Sequence, residues 1–453
     1  MLMSRYECLQ ETDKRTLWHP FTAMQDWMSQ EAVIIERGQG NYLIDVKGKR
    51  YLDGVSSLWV TLHGHNHPYL NRAIRKQLKK IAHSTFLGLS NVPAIELANK
   101  LLMLVPQNLA RVFYSDNGST SVEIALKMAF QYWQQHPDSA YHTKTIFISF
   151  NHAYHGDTIG SVSVGGLDLF HQLYGPLLFQ TYTMPYPYPF REGLKLEESE
   201  ARCLTSLEAC LKKNHSKIAG LIIEPLMQGA AGMLQTSAQF LQKIRMFTQK
   251  YNVLLIADEV ATGFGRTGDL FACEKAGVEP DILCLAKGLT GGYLPLAATI
   301  TTEGVFSRFL GEITEHKTFY HGHTYTGNPL ACAVALANLK WFERRKVLAH
   351  LSHKIVLLMN RLSEFEELPH VAQVRQEGFM VGIELALDPE KRLLYPEEQR
   401  VGWNVAREAI RRGVFLRPLG DVIILMPPLS ITEKELNILL DVTKQCIISQ
   451  TKE

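Results

Sequence analysis

The chain has 453 residues, 46% hydrophobic and 20% charged, with a formal net charge of +2. That length supports more than one core-forming unit, and the near-neutral balance gives no electrostatic case for nucleic acid or an anionic membrane as partner. No apolar run is long enough to span a bilayer, Met1 to Lys14 holds no signal-peptide core, and the seven cysteines, odd in number and without a C-x-x-C pair, argue against a disulfide framework or a cysteine zinc site, so a cytoplasmic location is the default expectation.

Near the N-terminus, Val33–Glu36, Tyr42–Asp45 and Tyr51–Asp53 are short strand patterns split by Gly38, Gly40 and Gly48, as in a small antiparallel meander. His63, His65 and His67 alternate in a way that can ligate zinc. No carboxylate or cysteine lies close by, however, and the interleaved Gly64 and Pro68 read as a turn, so no metal is expected. From about Leu101 to Thr302, strand-like runs alternate with helical stretches: Arg111–Ser115, Thr145–Phe150, Ile218–Glu224, Val253–Asp258, Ile282–Ala286 and Leu296–Ile300. Between Ser119 and Trp133, the residues Val122, Ala125, Leu126, Ala129 and Trp133 fall on one helical face. This alternation predicts an α/β fold, a mostly parallel sheet covered by helices. Pro185–Pro189 reads as an extended surface loop. After about Leu339 come helical material, the strands Phe379–Leu385, Val414–Arg417 and Val422–Met426, and a final helix from Thr432. The predicted organisation is an N-terminal segment (1–75) packing with a C-terminal α+β unit (339–453), and a larger unit (76–338) between them.

The chemistry concentrates where predicted strands end. Lys287 follows Ile282–Ala286, and Asp258 closes Val253–Asp258. Parallel α/β sheets bind ligands at that edge. An amine and a carboxylate delivered there match the needs of pyridoxal phosphate, an aldehyde to be held by the lysine and a ring nitrogen to be kept protonated by the aspartate. Gly288, Gly291 and Gly292 would let the backbone approach a flat ligand. Asn117-Gly118-Ser119-Thr120 opens the Ser119–Trp133 helix and offers free N–H groups and hydroxyls to a phosphate; the same residues would also serve as an ordinary N-cap. The hydroxyl-rich loop from His321 to Pro329, including Gly322 and Thr324, is a second phosphate candidate. Tyr154 follows a strand and would stack on the ring or simply pack. Glu224 also ends a strand, where it would position the ring substituents or start a turn. Arg266 and Arg417 both offer a guanidinium to a substrate carboxylate, and Trp18, Phe21, Trp27 and Trp59 are candidate apolar walls.

Taken together, Asn117-Gly118-Ser119, Tyr154-His155-Gly156-Asp157, the run Asp258 to Arg266, Lys287 and Thr324 resemble the class III, or ω-amino, pyridoxal-phosphate aminotransferases, from about Trp18 to about Pro428. Within that family, Trp18-His19-Pro20-Phe21-Thr22, Gly54 to Trp59, Gln228 to Met233 and Leu289 to Leu296 resemble the biotin-synthesis branch. That branch converts 8-amino-7-oxononanoate to 7,8-diaminononanoate with S-adenosylmethionine as amino donor. The resemblance implies a fold-type I homodimer with the site at the subunit interface. It assigns Lys287 to covalent attachment of the cofactor and Asp258 to the pyridine nitrogen. Gly118 and Ser119 would hold the phosphate, with Thr324 reaching it from the other subunit, and Tyr154 would stack on the ring beside Glu224. Trp59, Tyr154, Arg266, Lys287, Gly322 and Arg417 would meet substrate, with Arg417 taking the carboxylate of 8-amino-7-oxononanoate. Phe21 and Ile424 stand where relatives carry tyrosine, so two hydroxyls are missing from the expected substrate region. Lysine as donor, or another ω-aminotransferase acting on ornithine, 4-aminobutyrate or a diamine, are the alternatives.

Overall fold

The computed structural model describes residues 3–451, apart from the side chains of Asp168 and His171. Its main sheet has seven strands in the order Leu109–Ser115, Ala297–Thr302, Ile282–Leu285, Leu254–Asp258, Ile218–Ile223, Ile146–Phe150 and Thr181–Met184. Ala297–Thr302 runs antiparallel to both neighbours, and the five strands beyond it pair in parallel. All six residues of Ile218–Ile223 are buried, as for a parallel strand with helices on both faces. The edge strand Thr181–Met184 escaped the sequence reading, because its alternating threonines lack the continuous apolar run of the central strands.

The Gly118–Gln134 helix buries the five residues expected to share a face, and Trp133 Nε1 donates to Ala219 O at 2.7 Å. A second sheet joins the chain's two ends. Ile35–Gln39, Tyr42–Asp45 and Arg50–Asp53 form an antiparallel meander, and Val414–Phe415 adds in parallel beside Arg50–Asp53. A third sheet contains Val371–Glu377, Met380–Leu385 and Val422–Leu425, all antiparallel. The Val371–Glu377 strand was also missed, since its polar residues hide the strand pattern. Each of the three alternating histidines has a separate engagement. His63 Nε2 lies 2.8 Å from Asn338 Oδ1, His65 Nε2 lies 2.9 Å from Asp53 Oδ2, and the His67 ring packs on Trp341.

The Pro185–Pro189 segment differs from its expected surface position. Tyr186 is only 2% exposed and packs edge-on against Phe150 and Phe240. The segment is extended but runs inside, and Pro189 starts the short helix Pro189–Glu192. Beyond Tyr186 it meets a buried ionic cluster. Glu384 Oε1 accepts from Tyr188 Oη and Arg191 Nε, both at 2.9 Å, and Oε2 accepts from Arg375 Nη1 at 2.5 Å. Arg375 also donates to Gly232 O through Nε and Nη2. Arg375 and Glu384 are 4% and 1% exposed, so breaking the pair strands a desolvated charge. Glu384→Ala is expected to cost about 3–5 kcal/mol. In urea denaturation the midpoint should fall with an unchanged m-value.

Candidate active site

A cavity of about 420 Å³ opens at the C-terminal edge of the main sheet. Four parallel strands end beside it, and the residues just past their ends line it: Tyr154 and His155 after Ile146–Phe150, Glu224 after Ile218–Ile223, Asp258 at the end of Leu254–Asp258, and Lys287 after Ile282–Leu285. The Leu109–Ser115 strand contributes Asp116 to Ser119.

Lys287 begins a short turn, Lys287–Thr290, with φ of +42°, a left-handed conformation that directs its side chain into the cavity lining. Its Nζ sits 5.0 Å from the centroid of the Trp59 ring. Burial lowers the lysine pKa below its ordinary value, partly opposed by the charges of Asp258 and Glu224 and reinforced by Arg266. A lysine meant to act as a base at neutral pH needs this direction of shift.

Asp258 and Glu259 are consecutive, so strand alternation sends them to opposite faces. Asp258 faces the cavity. Its Oδ1 accepts from Val260 N at 3.0 Å, and its Oδ2 lies 2.6 Å from His155 Nδ1. Glu259 turns into the core and accepts from Ala272 N and Cys273 N at 2.7 and 2.8 Å, pinning the start of the Ala272–Ala276 helix. His155 was not singled out for this role in the sequence reading, although it lies within the Tyr154-to-Asp157 motif. It is buried, and its Nε2 has no hydrogen-bond partner among the described residues.

Glu224 accepts from Tyr154 N at 3.2 Å and from Gly229 N at 3.0 Å. Burial raises its pKa from the ordinary 4.5 to about 7, opposed by His155 and by the two backbone donors and assisted by Asp258. Tyr154 Oη donates to Asp157 Oδ2 at 2.7 Å, and its ring meets Phe170 edge-on at 6.4 Å.

At the other end of the cavity the Gly118–Gln134 helix presents its N-terminus. Asn117 caps it by accepting from Thr120 N at 3.1 Å, while Ser121 N goes to Asn117 O. Gly118 and Ser119 line the cavity at the two positions between. The glycines here leave no room for a side chain. A Cβ on Gly118 would lie 2.6 Å from Val260 Cγ1, and one on Gly156, whose φ is +122°, would lie 2.0 Å from Ser119 Oγ. The N-cap reading is realised by Asn117, and Gly118 and Ser119 stand beside it on the cavity wall.

Of the residues singled out from the sequence, Trp59, Asn117, Gly118, Ser119, Tyr154, Glu224, Asp258, Lys287 and Gly292 line this cavity. Arg266, Arg417, Gly322 and Thr324 do not. Arg266 is 1% exposed and donates to Pro427 O at 2.7 Å and Thr61 O at 3.3 Å, behind the wall rather than in it. Arg417 donates to Phe21 O at 3.2 Å, and its guanidinium lies 5.1 Å from the Trp403 ring centroid. Gly322 and Thr324 are exposed on the surface loop. Of the candidate apolar walls, Trp59 alone lines the cavity. Trp18 is exposed, and Trp27 donates to Asp13 Oδ2. Val260 and the stretch Tyr293 to Leu296, quoted from the sequence only within motifs and given no site role there, also line the cavity.

Residues 23–447 match the family model described as aminotransferase class-III. The chain belongs to the class III aminotransferases. It is 53% identical over 448 residues to an adenosylmethionine-8-amino-7-oxononanoate aminotransferase of Aquifex aeolicus, covering 98% of each chain. It is similar to the solved structure of the Methanocaldococcus jannaschii protein of that name, with a TM-score of 0.93, 46% identity and coverage of 98% and 99%. It is also similar to a PLP-bound amine transaminase from an uncultivated Pseudomonas species, with a TM-score of 0.90, 36% identity and coverage of 96% and 98%. As a class III aminotransferase, the chain is a pyridoxal-phosphate-dependent enzyme of fold type I.

The residues present fit that cofactor. A helix N-terminus with two glycine-relieved approaches suits a phosphate, and a carboxylate fixed by His155 suits a pyridinium. A desolvated lysine stands just past the end of the next strand.

Gly156→Ala puts a methyl group into Ser119 and forces an unfavourable φ. The expected result is at least a tenfold weaker affinity for pyridoxal phosphate, read by absorbance titration of the apoenzyme, with the melting temperature lowered by only a few degrees, about 1 kcal/mol in stability. Glu224 binds its proton more tightly folded than unfolded. Its stabilising contribution is complete below the ordinary carboxylate range and is lost as pH rises through about 7. In the apoprotein, Glu224→Gln should flatten the fall in melting temperature between about pH 4.5 and 7.

Proposed function

We propose that this enzyme transfers an amino group from S-adenosylmethionine to 8-amino-7-oxononanoate, producing 7,8-diaminononanoate for biotin synthesis. The observation that carries the reading is similarity over essentially the whole chain, at 45–53% identity, to six relatives that bear the name of this reaction. The cavity supports it with one amine, one fixed carboxylate, one anion-binding helix end and an aromatic wall.

When bound, pyridoxal phosphate supplies an aldehyde that holds the amine and a ring that withdraws electrons from the neighbouring carbon. Asp258 would hold the ring nitrogen protonated, through a charge-assisted hydrogen bond contributing about 1.5–3 kcal/mol. His155 keeps that carboxylate oriented through Oδ2. Lys287 holds the cofactor between turnovers. Its Nζ would be the group that takes a proton from the substrate carbon and gives it back; burial lowers its pKa, the direction a base requires. Gly118 and Ser119 receive the phosphate. Tyr154, fixed by Asp157 and Glu224, covers the ring. Trp59 closes the wall beside Lys287.

Arg417 receives the acceptor's carboxylate in this reading. Its link to the cavity is a row of rings, Phe21 to Phe170 at 5.2 Å and Phe170 to Tyr154 at 6.4 Å, with Phe21 O bound to Arg417 Nη2. Arg266 supports the wall by holding the carbonyls of Thr61 and Pro427 rather than touching the donor. The exposed Gly322 and Thr324 complete the cavity of a second copy, making the working unit a homodimer. Segments 1–75 and 339–453 act as one smaller unit around 76–338, supported by the pairing of Val414–Phe415 with Arg50–Asp53.

Lysine as amino donor is the second reading, favoured by Phe21, which lacks the hydroxyl that relatives often carry at this position. The other missing hydroxyl has less bearing on it, because Ile424 is fully buried in the cluster behind Trp59 and does not line the cavity. S-adenosylmethionine and lysine, added separately to purified holoenzyme, separate the two: S-adenosylmethionine is expected to change the cofactor absorbance and lysine to leave it unaltered. With 8-amino-7-oxononanoate as acceptor, turnover should follow the same donor; turnover only with 2-oxoglutarate would point to another ω-aminotransferase. Lys287→Ala is expected to lower steady-state turnover by at least about 10³-fold with an unchanged melting temperature.

A further inference from the structure

Trp59 reaches Lys287 from an unusual backbone. Ser56, Ser57, Leu58 and Trp59 all have positive φ, of 52°, 49°, 77° and 71°. Four successive non-glycine residues in the left-handed region form a turn that these side chains resist. Something outside the turn must hold it, and the structure shows what does.

Asp53 is fully buried, at the end of the Arg50–Asp53 strand. Its Oδ1 accepts from Ser57 N at 2.9 Å and Val55 N at 3.3 Å, and its Oδ2 accepts from Ser57 Oγ at 2.7 Å. His65 Nε2 lies 2.9 Å from the same Oδ2. The far side of the turn is tied down too, since Ser56 Oγ donates to Met426 O at 2.7 Å and Arg266 holds Thr61 O. The result is tight packing around the indole. A Cβ placed on Gly229 would lie 3.0 Å from Trp59 Cζ3, and Lys287 Nζ lies 5.0 Å from the centroid of the same ring.

We infer that Asp53 is a positioning residue for the amino transfer: its carboxylate, oriented by His65, holds the left-handed turn that keeps the Trp59 indole against Lys287. Asp53 does not line the cavity, so it acts through Trp59. The inference rests on the cavity being the transamination site. It goes beyond that reading by assigning the shape of the acceptor wall to a carboxylate that never meets the substrate.

A double-mutant cycle on holoenzyme tests it, with Asp53→Asn and Trp59→Phe made singly and together and assayed with 8-amino-7-oxononanoate. In the wild-type background Asp53→Asn is expected to raise KM about tenfold with kcat within about twofold; in the Trp59→Phe background its effect should shrink to less than about twofold. An equal loss in both backgrounds, or a loss confined to kcat, overturns the inference, because a general structural defect would not depend on which ring is at position 59. If Asp53→Asn does not accumulate as folded protein, Ser57→Ala removes the Oγ–Oδ2 bond alone and goes through the same cycle, with a smaller KM increase that must again vanish beside Trp59→Phe. Lys287→Ala, run in parallel, keeps the two readings apart. Retained turnover there removes the cavity assignment itself, whereas its loss together with an additive cycle removes only the role of Asp53.

Discussion

Asp258 and Cys284 are register partners on adjacent parallel strands, so the turns after both strands open at the same sheet edge. This places an amine and a carboxylate in one desolvated space without either having to leave its strand's path. Opposite charges buried together relieve part of the desolvation that each would suffer alone. The charges of Asp258 and Glu224 accordingly oppose the drop in the Lys287 pKa that burial imposes.

The surrounding polar groups are divided by task. His155 occupies one oxygen of Asp258 and Val260 N the other. Glu224 spends its oxygens on two backbone donors, fixing the start of the Tyr154 segment and the Gly229 turn. Glu259, next to Asp258 in sequence, faces the core and secures a helix. Of these three carboxylates, Asp258 is the one bound to a histidine, and that is the group proposed to hold a positive ring.

The main sheet was legible because its central strands are continuous apolar runs that end in polar residues. Strand ends also marked the cavity, so Lys287, Asp258, Glu224 and Tyr154 could be placed together before any coordinates. What failed had physical reasons. Thr181–Met184 and Val371–Glu377 carry polar residues in their strands and lack a continuous apolar signature. Tyr186 is buried although prolines flank it, because its ring fills a gap between Phe150 and Phe240. Arg266, placed by its glycine-rich loop as a substrate contact, instead satisfies two carbonyls inside the wall. The left-handed run from Ser56 to Trp59 has no glycine to announce it, since bonds to the nearby buried Asp53 and to the distant Met426 impose it.

The reversed strand Ala297–Thr302 has a mechanical effect. Because Leu285 pairs with Ala298, the chain leaves the sheet and re-enters it beside itself, and the Lys287 turn is a loop anchored at both feet. Asn338 Nδ2 further grips the carbonyls of Gly288 and Leu289, at 2.9 and 3.0 Å. The Lys287 amine, proposed to hold the cofactor, is therefore mounted on a stationary pivot. Its reach is set by the sweep of four methylenes from a backbone fixed on both sides.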